Sequence, residues 1–202
     1  MEVKEVEGDC HETLEELSND FQVHLREMQS KLNLDIQEIQ QDFEVIIEYE
    51  ALNQHLDASR KTEKLGDRID ETIKIANICN RREKLFGQPE TDFSGIKIVQ
   101  EKFEPFHRLW QLASQYYSNI SNWMEGEIFH LDGDALPKTI DEAIQTLKYL
   151  KTKHFKDYPY TAQICQELRD LYQAMKPFMP VLSSLKNPDF KIVHYEIIKK
   201  DY

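Results

Sequence analysis

Two Glu-x-x-His pairs are the residues in this sequence best suited to chemistry. Glu104 precedes His107 and Glu127 precedes His130, and a spacing of three puts both side chains of a pair on one helix face. A di-iron helical bundle uses two such pairs, together with one Glu from each of two other helices. Pro105 interrupts the first pair, and a chain with seven His and 37 acidic residues contains such pairs by chance. A di-metal carboxylate bundle is therefore the least favoured of the functions that the sequence allows.

Other catalytic and ligand-binding motifs are missing from the sequence. Asp132-Gly-Asp134 resembles the start of a calcium loop, but an EF-hand needs Gly at loop position six and Glu at position twelve. Pro137 and Ala143 occupy those positions. The chain also lacks the Gly-rich phosphate loop that ends in Gly-Lys-Ser/Thr, and the GxGxxG, HExxH and GxSxG motifs. We expect no catalytic residue, no bound metal or cofactor and no small-molecule substrate, so the chain itself is not predicted to be an enzyme.

Negative charge is concentrated in the first part of the chain. The whole sequence has 25 basic and 37 acidic residues, and residues 1–58 contain 16 of the acidic residues but only 3 of the basic ones. An acidic surface repels nucleic-acid phosphate and anionic lipid, so neither nucleic acid nor membrane is expected as a partner. Such a segment is either a solvated helix face or a docking face for a basic partner. An acidic helical adaptor or scaffold is therefore the main alternative function.

The sequence shows no signal for secretion or for membrane insertion. It has no run of 18 apolar residues and no basic start followed by an apolar stretch. Its three cysteines, Cys10, Cys79 and Cys165, are far apart and form no CxxC pair. This usage fits reduced thiols, and a cytoplasmic location is expected.

Apolar residues at helical spacing predict a long first helix. No Gly or Pro lies between Gly8 and Gly66. We predict a helix over residues 12–56, with its break at residues 57–62. The stripe repeats steps of three, four and four, and its members are Leu14, Leu17, Phe21, Leu25, Met28, Leu32, Ile36, Ile39, Phe43 and Ile47.

Four further stretches show helical periodicity, and no strand-type alternation of useful length appears. The third predicted helix carries the heptad seam of a left-handed bundle, and Pro105 either kinks it or begins a fresh helix. The predicted fold is all-α, an elongated helical bundle with a long N-terminal helix and about five to seven helices in total. The residues expected to form its structural core are Phe103, Phe106, Trp110, Tyr117, Trp123, Leu168, Leu171 and Phe178.

A series of short motifs resembles one protein family. Residues 80–93 read Asn-Arg-Arg-Glu-Lys-Leu-Phe-Gly-Gln-Pro-Glu-Thr-Asp-Phe, and residues 103–106 read Phe-Glu-Pro-Phe. Further motifs are Leu109-Trp110, Trp123-Met124, Lys176-Pro177, Pro180-Val-Leu182 and Leu185-Lys-Asn-Pro188. Their order and spacing resemble axonemal-type dynein heavy chains, in the region that joins the end of the tail to the start of the linker. The family-motif positions are Asn80, Arg81, Arg82, Glu83, Leu85, Phe86, Gly87, Pro89, Asn187 and Pro188.

The resemblance implies two segments and a mechanical function. Residues 1–60 would be an acidic long helix that ends the tail bundle, and residues 61–202 a helical bundle like the proximal dynein linker. In this family the linker couples the AAA motor to the tail in microtubule-based ciliary motility. The implied partners are the AAA ring and tail bundles of the same heavy chain, with other dynein subunits as a further option. The implied location is the cytoskeleton, in the axoneme of a cilium or flagellum.

Overall fold

The computed structural model describes the backbone of residues 2–125 and 135–181, and the side chains from residue 13 onward except those of residues 121, 122, 124 and 125. Short 3₁₀ turns occur at Leu52–Gln54 and Lys176–Phe178. Within these ranges no residue is in a strand, and the predicted all-α fold class is confirmed. The helices of the described residues are α1 (Glu2–Ile47), α2 (His55–Leu85), α3 (Ser94–Glu125), α4 (Ala135–Lys153) and α5 (Pro159–Met175).

The helices form two compact units, each of which is discontinuous in sequence. Unit 1 combines the described residues of Met1–Val45 with Glu63–Phe103. Unit 2 combines Ile46–Thr62 with the described residues of Glu104–Tyr202. The helices α1, α2 and α3 each contribute residues to both units.

In unit 1, α1 runs antiparallel to α2. Phe21, early in α1, stacks on Phe86, which directly follows the end of α2. Asp42, late in α1, pairs with Arg68, which lies further towards the start of α2. The buried side chains of α1 in this unit are spaced by seven, four, three and four residues, a heptad seam typical of bundles. They are Leu25, Leu32, Ile36, Ile39 and Phe43.

The first helix ends earlier than the sequence predicts. Because α1 stops at Ile47 and α2 begins at His55, the predictions of one helix over residues 12–56 and of a break at residues 57–62 were wrong. Ala58 is fully buried inside α2. The second helix therefore already covers the segment in which we expected the break.

Burial of side chains and local hydrogen bonds explain why the chain leaves the helix there. Tyr49 and Leu52, in the segment that follows α1, are both buried. The Oε1 atom of Gln54 accepts hydrogen bonds from the backbone N–H groups of Glu50 and Ala51, both at 3.2 Å. These bonds satisfy donors that lie outside a helical ladder.

In unit 2, the indole of Trp110 lies in the core and is 1% exposed. Its ring meets Tyr49 edge to face, with 5.6 Å between the ring centroids, and its backbone carbonyl accepts a hydrogen bond from Ser59 Oγ at 3.0 Å. Tyr172 of α5 donates its hydroxyl hydrogen to the carbonyl of Leu112 at 2.9 Å. Side chains from the segment between α1 and α2, from α2 and from α5 thus converge on one stretch of α3.

Two prolines have different effects on the helices of unit 2. Pro105 is buried inside α3, which continues through it from Ser94 to Glu125. It does not begin a new helix. Pro177 follows the end of α5 and lies in a 3₁₀ turn, which agrees with the loss of its backbone N–H as a helical donor.

Candidate functional site

The end of α2 and the connector to α3 contain most of the family-motif positions. Gly87 has a φ of 64°, a left-handed conformation that glycine adopts without a steric penalty. Its N–H donates to the carbonyl of Lys84 at 3.2 Å, and the N–H of Gln88 donates to the carbonyl of Glu83 at 2.9 Å. This pair of hydrogen bonds is a Schellman motif, which terminates α2 and satisfies its last carbonyls.

The side chain of Glu83, at the end of α2, links the connector to α1. It is fully buried. Its Oε2 accepts a hydrogen bond from the backbone N–H of Thr91 at 2.7 Å, and its Oε1 accepts one from the Thr91 hydroxyl at 2.5 Å. Gln29 of α1 donates its Nε2 hydrogen to the same Oε1 at 2.6 Å. The residue therefore joins α1, the end of α2 and the connector, and we call Gln29, Glu83 and Thr91 the carboxylate clamp.

The environment of the clamp favours the ionised carboxylate. Burial by itself raises the pKa of Glu83, but hydrogen bonds from Thr91 and Gln29 outweigh burial and hold the pKa below its usual value. Burial, followed by the nearby charge of Glu83, raises the pKa of the Cys79 thiol. Cys79 therefore stays a buried neutral thiol, and the clamp is an anchor in which no nucleophile is activated.

Aromatic and capping contacts complete the connector. The ring of Phe86 stacks on Phe21 of α1 with 3.9 Å between centroids, and Phe93 is buried. The Oδ1 atom of Asp92 accepts a hydrogen bond from the backbone N–H of Ser94, the first residue of α3, at 2.8 Å. The connector is thus fixed at both ends and along its length.

An open groove of about 330 Å³ lies beside the connector in unit 1. Asn80 lines it together with Glu90, Asp92 and Lys97. The Oδ1 atom of Asn80 is buried there without a hydrogen-bond partner. The remaining family-motif positions in the described residues are placed as follows: Arg82 is half-buried, and Arg81, Leu85, Phe86, Gly87 and Pro89 are exposed. Asn187 and Pro188 lie outside the described residues.

The residues expected in the core are placed unequally. Phe103, Phe106, Trp110 and Leu168 are buried, and Trp123 and Leu171 are half-buried. Tyr117 is 36% exposed, and its ring stacks on His55 with 3.8 Å between centroids. Phe178 is 50% exposed because it lies in the 3₁₀ turn that follows α5.

Only one of the two Glu-x-x-His pairs lies in the described residues. Glu104 is exposed, and His107 Nε2 lies 3.1 Å from Gln111 Nε2. Across the part of the chain that the structure describes, no three His, Cys, Asp or Glu side chains are grouped to hold a metal ion. The second pair and Asp132-Gly-Asp134 fall outside that part.

Comparison with known proteins gives the family. The sequence model described as "Dynein heavy chain, N-terminal region 2" matches residues 96–202. The chain belongs to the dynein heavy chain family. Among curated relatives, human dynein axonemal heavy chain 1 is 28% identical over 150 residues, which cover 71% of this chain and 4% of that protein.

Other relatives agree with this assignment. Mouse dynein axonemal heavy chain 1 is 25% identical over 143 residues, or 71% of this chain and 3% of that protein. Human dynein axonemal heavy chain 3 is 21% identical over 140 residues, which cover 69% of this chain and 3% of that protein. The chain thus spans only 3–4% of the length of these heavy chains. No solved structure matches it.

Two of the three residues of the carboxylate clamp lie within the motif at residues 80–93. Glu83 is a family-motif position, and Thr91 belongs to the loop that follows it in the same motif. Gln29 has no sequence signal, because it lies 54 residues from Glu83 and one glutamine on a helix is unremarkable. Cys79, which lies beside Glu83, has no sequence signal either.

None of the described helices combines the length and the apolar character that are needed to span a membrane.

Proposed function

We propose that this chain is a non-catalytic mechanical segment of a dynein heavy chain, which couples the AAA motor to the tail in ciliary motility. The observation that carries the proposal is the match of residues 96–202 to the N-terminal region of dynein heavy chains. That region lies outside the AAA ATPase domain, and the sequence has no phosphate-binding loop. A helical segment at this place in a motor chain is suited to transmitting force.

The packing and hydrogen bonds of the described helices support a role in transmitting force. A packed helical interior deforms little because its side chains interlock at crystal-like density. A connector between two helices is the part of a helical pair that deforms most easily. Here the carboxylate clamp holds the connector in place, because its buried carboxylate accepts three short hydrogen bonds. A connector held in this way transmits displacement from α2 to α3 with little loss.

We assign the two segments of the sequence to different parts of the parent chain. Residues 1–60 end the tail bundle, and residues 61–202 begin the linker. The partners in this proposal are the AAA ring and the other tail bundles of the same heavy chain. The location is the axoneme of a cilium or flagellum, in line with the names of the axonemal relatives.

The test uses an axonemal dynein heavy chain that carries this segment. Glu83→Ala removes the clamp, and Glu90→Ala is the matched control because Glu90 is an exposed acid in the same connector. Microtubule gliding velocity and ATP turnover are measured in the same preparation. We expect Glu83→Ala to lower the distance travelled per ATP while turnover continues, and Glu90→Ala to leave both quantities unchanged. An unchanged distance per ATP in Glu83→Ala would contradict the coupling role.

The non-catalytic part of the proposal has a separate test. Phosphate release from ATP is measured with the purified 202-residue chain, and total metal is measured in protein purified without added metal. We expect no release above the protein-free rate and no stoichiometric iron, manganese or zinc. Sustained turnover that follows the protein through purification, or stoichiometric metal, would overturn this part.

A further inference from the structure

The apolar stripe of α1 is buried alongside α2 and exposed beyond the end of α2. Leu25 and Leu32 are 2% and 1% exposed. Leu14 and Leu17 lie on the same helical stripe but are 62% and 61% exposed. Between these two pairs of leucines, Phe21 stacks on Phe86, which directly follows the end of α2. Since α1 is antiparallel to α2, residues before Phe21 extend beyond the end of α2 within unit 1.

We call residues 13–21 of α1 the overhang. At about 1.5 Å of rise per residue, Leu14 lies about 10 Å beyond the Phe21 stack along the helix. In the sequence, the same three-and-four spacing continues before the overhang at Val3, Val6 and Cys10. Single exposed apolar residues are common on protein surfaces. Two exposed leucines one turn apart, in line with a buried seam, instead indicate a surface that another helix can cover.

The charge of this region selects the partner. Residues 1–20 contain eight acidic residues and one basic residue, Lys4. Glu16 and Asp20 are exposed and lie one turn apart, so they form an acidic edge along one side of the leucine stripe. A second copy of the overhang would bring like charges together, and nucleic acid or anionic lipid would be repelled. A surface that is apolar in the centre and acidic at its edge is complementary to a cationic amphipathic helix.

We propose that the overhang binds a cationic amphipathic helix of another polypeptide, which packs its apolar face on Leu14 and Leu17 and its basic side chains against Glu16 and Asp20. This helix continues the heptad seam that is buried further along α1. Apolar contact supplies the affinity, and charge sets partner choice and salt dependence. The proposal is independent of the mechanical role, since it concerns recognition by α1 alone.

The test measures binding of synthetic helical peptides to the full chain by fluorescence anisotropy. The probe is three repeats of Leu-Lys-Lys-Leu-Leu-Lys-Lys. A charge-only peptide replaces its Leu by Gln, and an anionic peptide replaces its Lys by Glu. We expect saturable binding of the probe that weakens with salt, and much weaker binding of the two control peptides.

Matched variants locate the binding site. Leu14→Gln with Leu17→Gln removes the apolar centre, and Leu34→Gln is the control because Leu34 is a 58% exposed leucine elsewhere on α1. We expect the double variant to raise the Kd about tenfold or more, the effect of losing roughly one buried leucine contact. Leu34→Gln should leave the Kd unchanged. Glu16→Lys with Asp20→Lys should weaken binding more than Glu44→Lys with Glu48→Lys, an exposed acidic pair of the same spacing.

Three results would overturn the proposal. The first is equal affinity for the probe and the charge-only peptide, which shows binding by charge alone. The second is an unchanged Kd in the Leu14 and Leu17 double variant that keeps its helical circular dichroism signal. The third is self-association of the parent chain in sedimentation that this double variant abolishes, because the surface would then belong to a second copy.

Discussion

Glu83 accepts two hydrogen bonds from one residue, Thr91, across the connector between α2 and α3. One comes from the Thr91 backbone N–H at 2.7 Å and the other from its hydroxyl at 2.5 Å. The backbone carbonyl of the same Glu83 accepts a hydrogen bond from the N–H of Gln88 in the Schellman motif. A single residue thus ends α2 with its main chain and holds the connector with its side chain, and mutation can separate these two contributions.

Replacing Glu83 by Gln should lower the free energy of unfolding by about 1.5–3 kcal/mol at neutral pH, the range for hydrogen bonds to a charged group. Gln keeps the backbone bonds but loses the charge and one acceptor. Because the hydrogen bonds lower the folded-state pKa of Glu83, its contribution is complete above the unfolded pKa of about 4.3 and is lost as pH falls through the lower folded value. The difference in the free energy of unfolding between the parent and Glu83→Gln should therefore become smaller below about pH 4.

The measurement is urea unfolding at several pH values, with Glu90→Gln as the exposed control in the same connector. Glu90→Gln should change stability little at any pH. A gap for Glu83→Gln that stays constant from neutral to strongly acidic pH would show that the carboxylate is not ionised in the clamp.

Replacing Gly87 by Ala should cost about 1–2 kcal/mol through backbone strain alone. The φ of 64° is unfavourable for a residue with a Cβ, but an added Cβ meets no atom within 4 Å. Asn tolerates the left-handed region better than Ala, so Gly87→Asn should be the milder change. The denaturant midpoints of the two variants give the comparison. Equal destabilisation of both variants would contradict a loss that depends on how well the new residue tolerates the left-handed region.

The sequence predicts local features of this fold better than the distant contacts. Gly87 and Pro89 mark the connector in the sequence, and α2 ends shortly before them at Leu85, because turn chemistry is local. The partnership of Gln29 with Glu83 depends on how α1 packs on α2, and no local pattern encodes it.

The end of the first helix shows a second limit. An eleven-residue repeat predicts Ile47 on the buried stripe, whereas the structure buries Ile46 and leaves Ile47 half-buried. The seven-residue spacing from Ile39 to Ile46 follows the bundle seam. With two isoleucines adjacent, periodicity alone could not choose between them, and the neighbouring helices decide.

Replacing Trp110 by Ala should destabilise the chain by about 3–5 kcal/mol, the range for truncating a buried aromatic side chain. The indole is 1% exposed and packs edge to face on Tyr49. Tyr149→Ala is the control, since Tyr149 is a large aromatic residue that is mostly exposed, and it should change stability by less than about 0.5 kcal/mol. Equal unfolding midpoints for the parent and Trp110→Ala would show that α3 does not use this face for its core.

Replacing Arg68 by Gln should give a small, salt-dependent loss of stability. Arg68 of α2 faces three acids of α1: Asp42 at 3.0 Å, Asp35 at 3.6 Å and Glu38. These groups lie at the surface, where exposed ion pairs each contribute about 0.2–1 kcal/mol. Removing the cation also leaves three like charges on successive turns of one helix, and their repulsion adds to the loss. Both effects are screened by salt, so the difference from the parent should shrink as ionic strength rises from about 0.01 M to 1 M.

A double-mutant cycle separates the direct pairing from the repulsion among the acids. In the cycle of Arg68→Gln with Glu38→Gln, the coupling energy reports the pair itself. Glu38→Gln alone both breaks the pair and relieves the repulsion, so it should cost less than Arg68→Gln. Lys64→Gln, a neutralisation of an exposed cation one turn earlier on α2, controls for the change in net charge. If Arg68→Gln had the same effect at low and high salt, the contribution of Arg68 would come from packing of its aliphatic stem rather than from its charge.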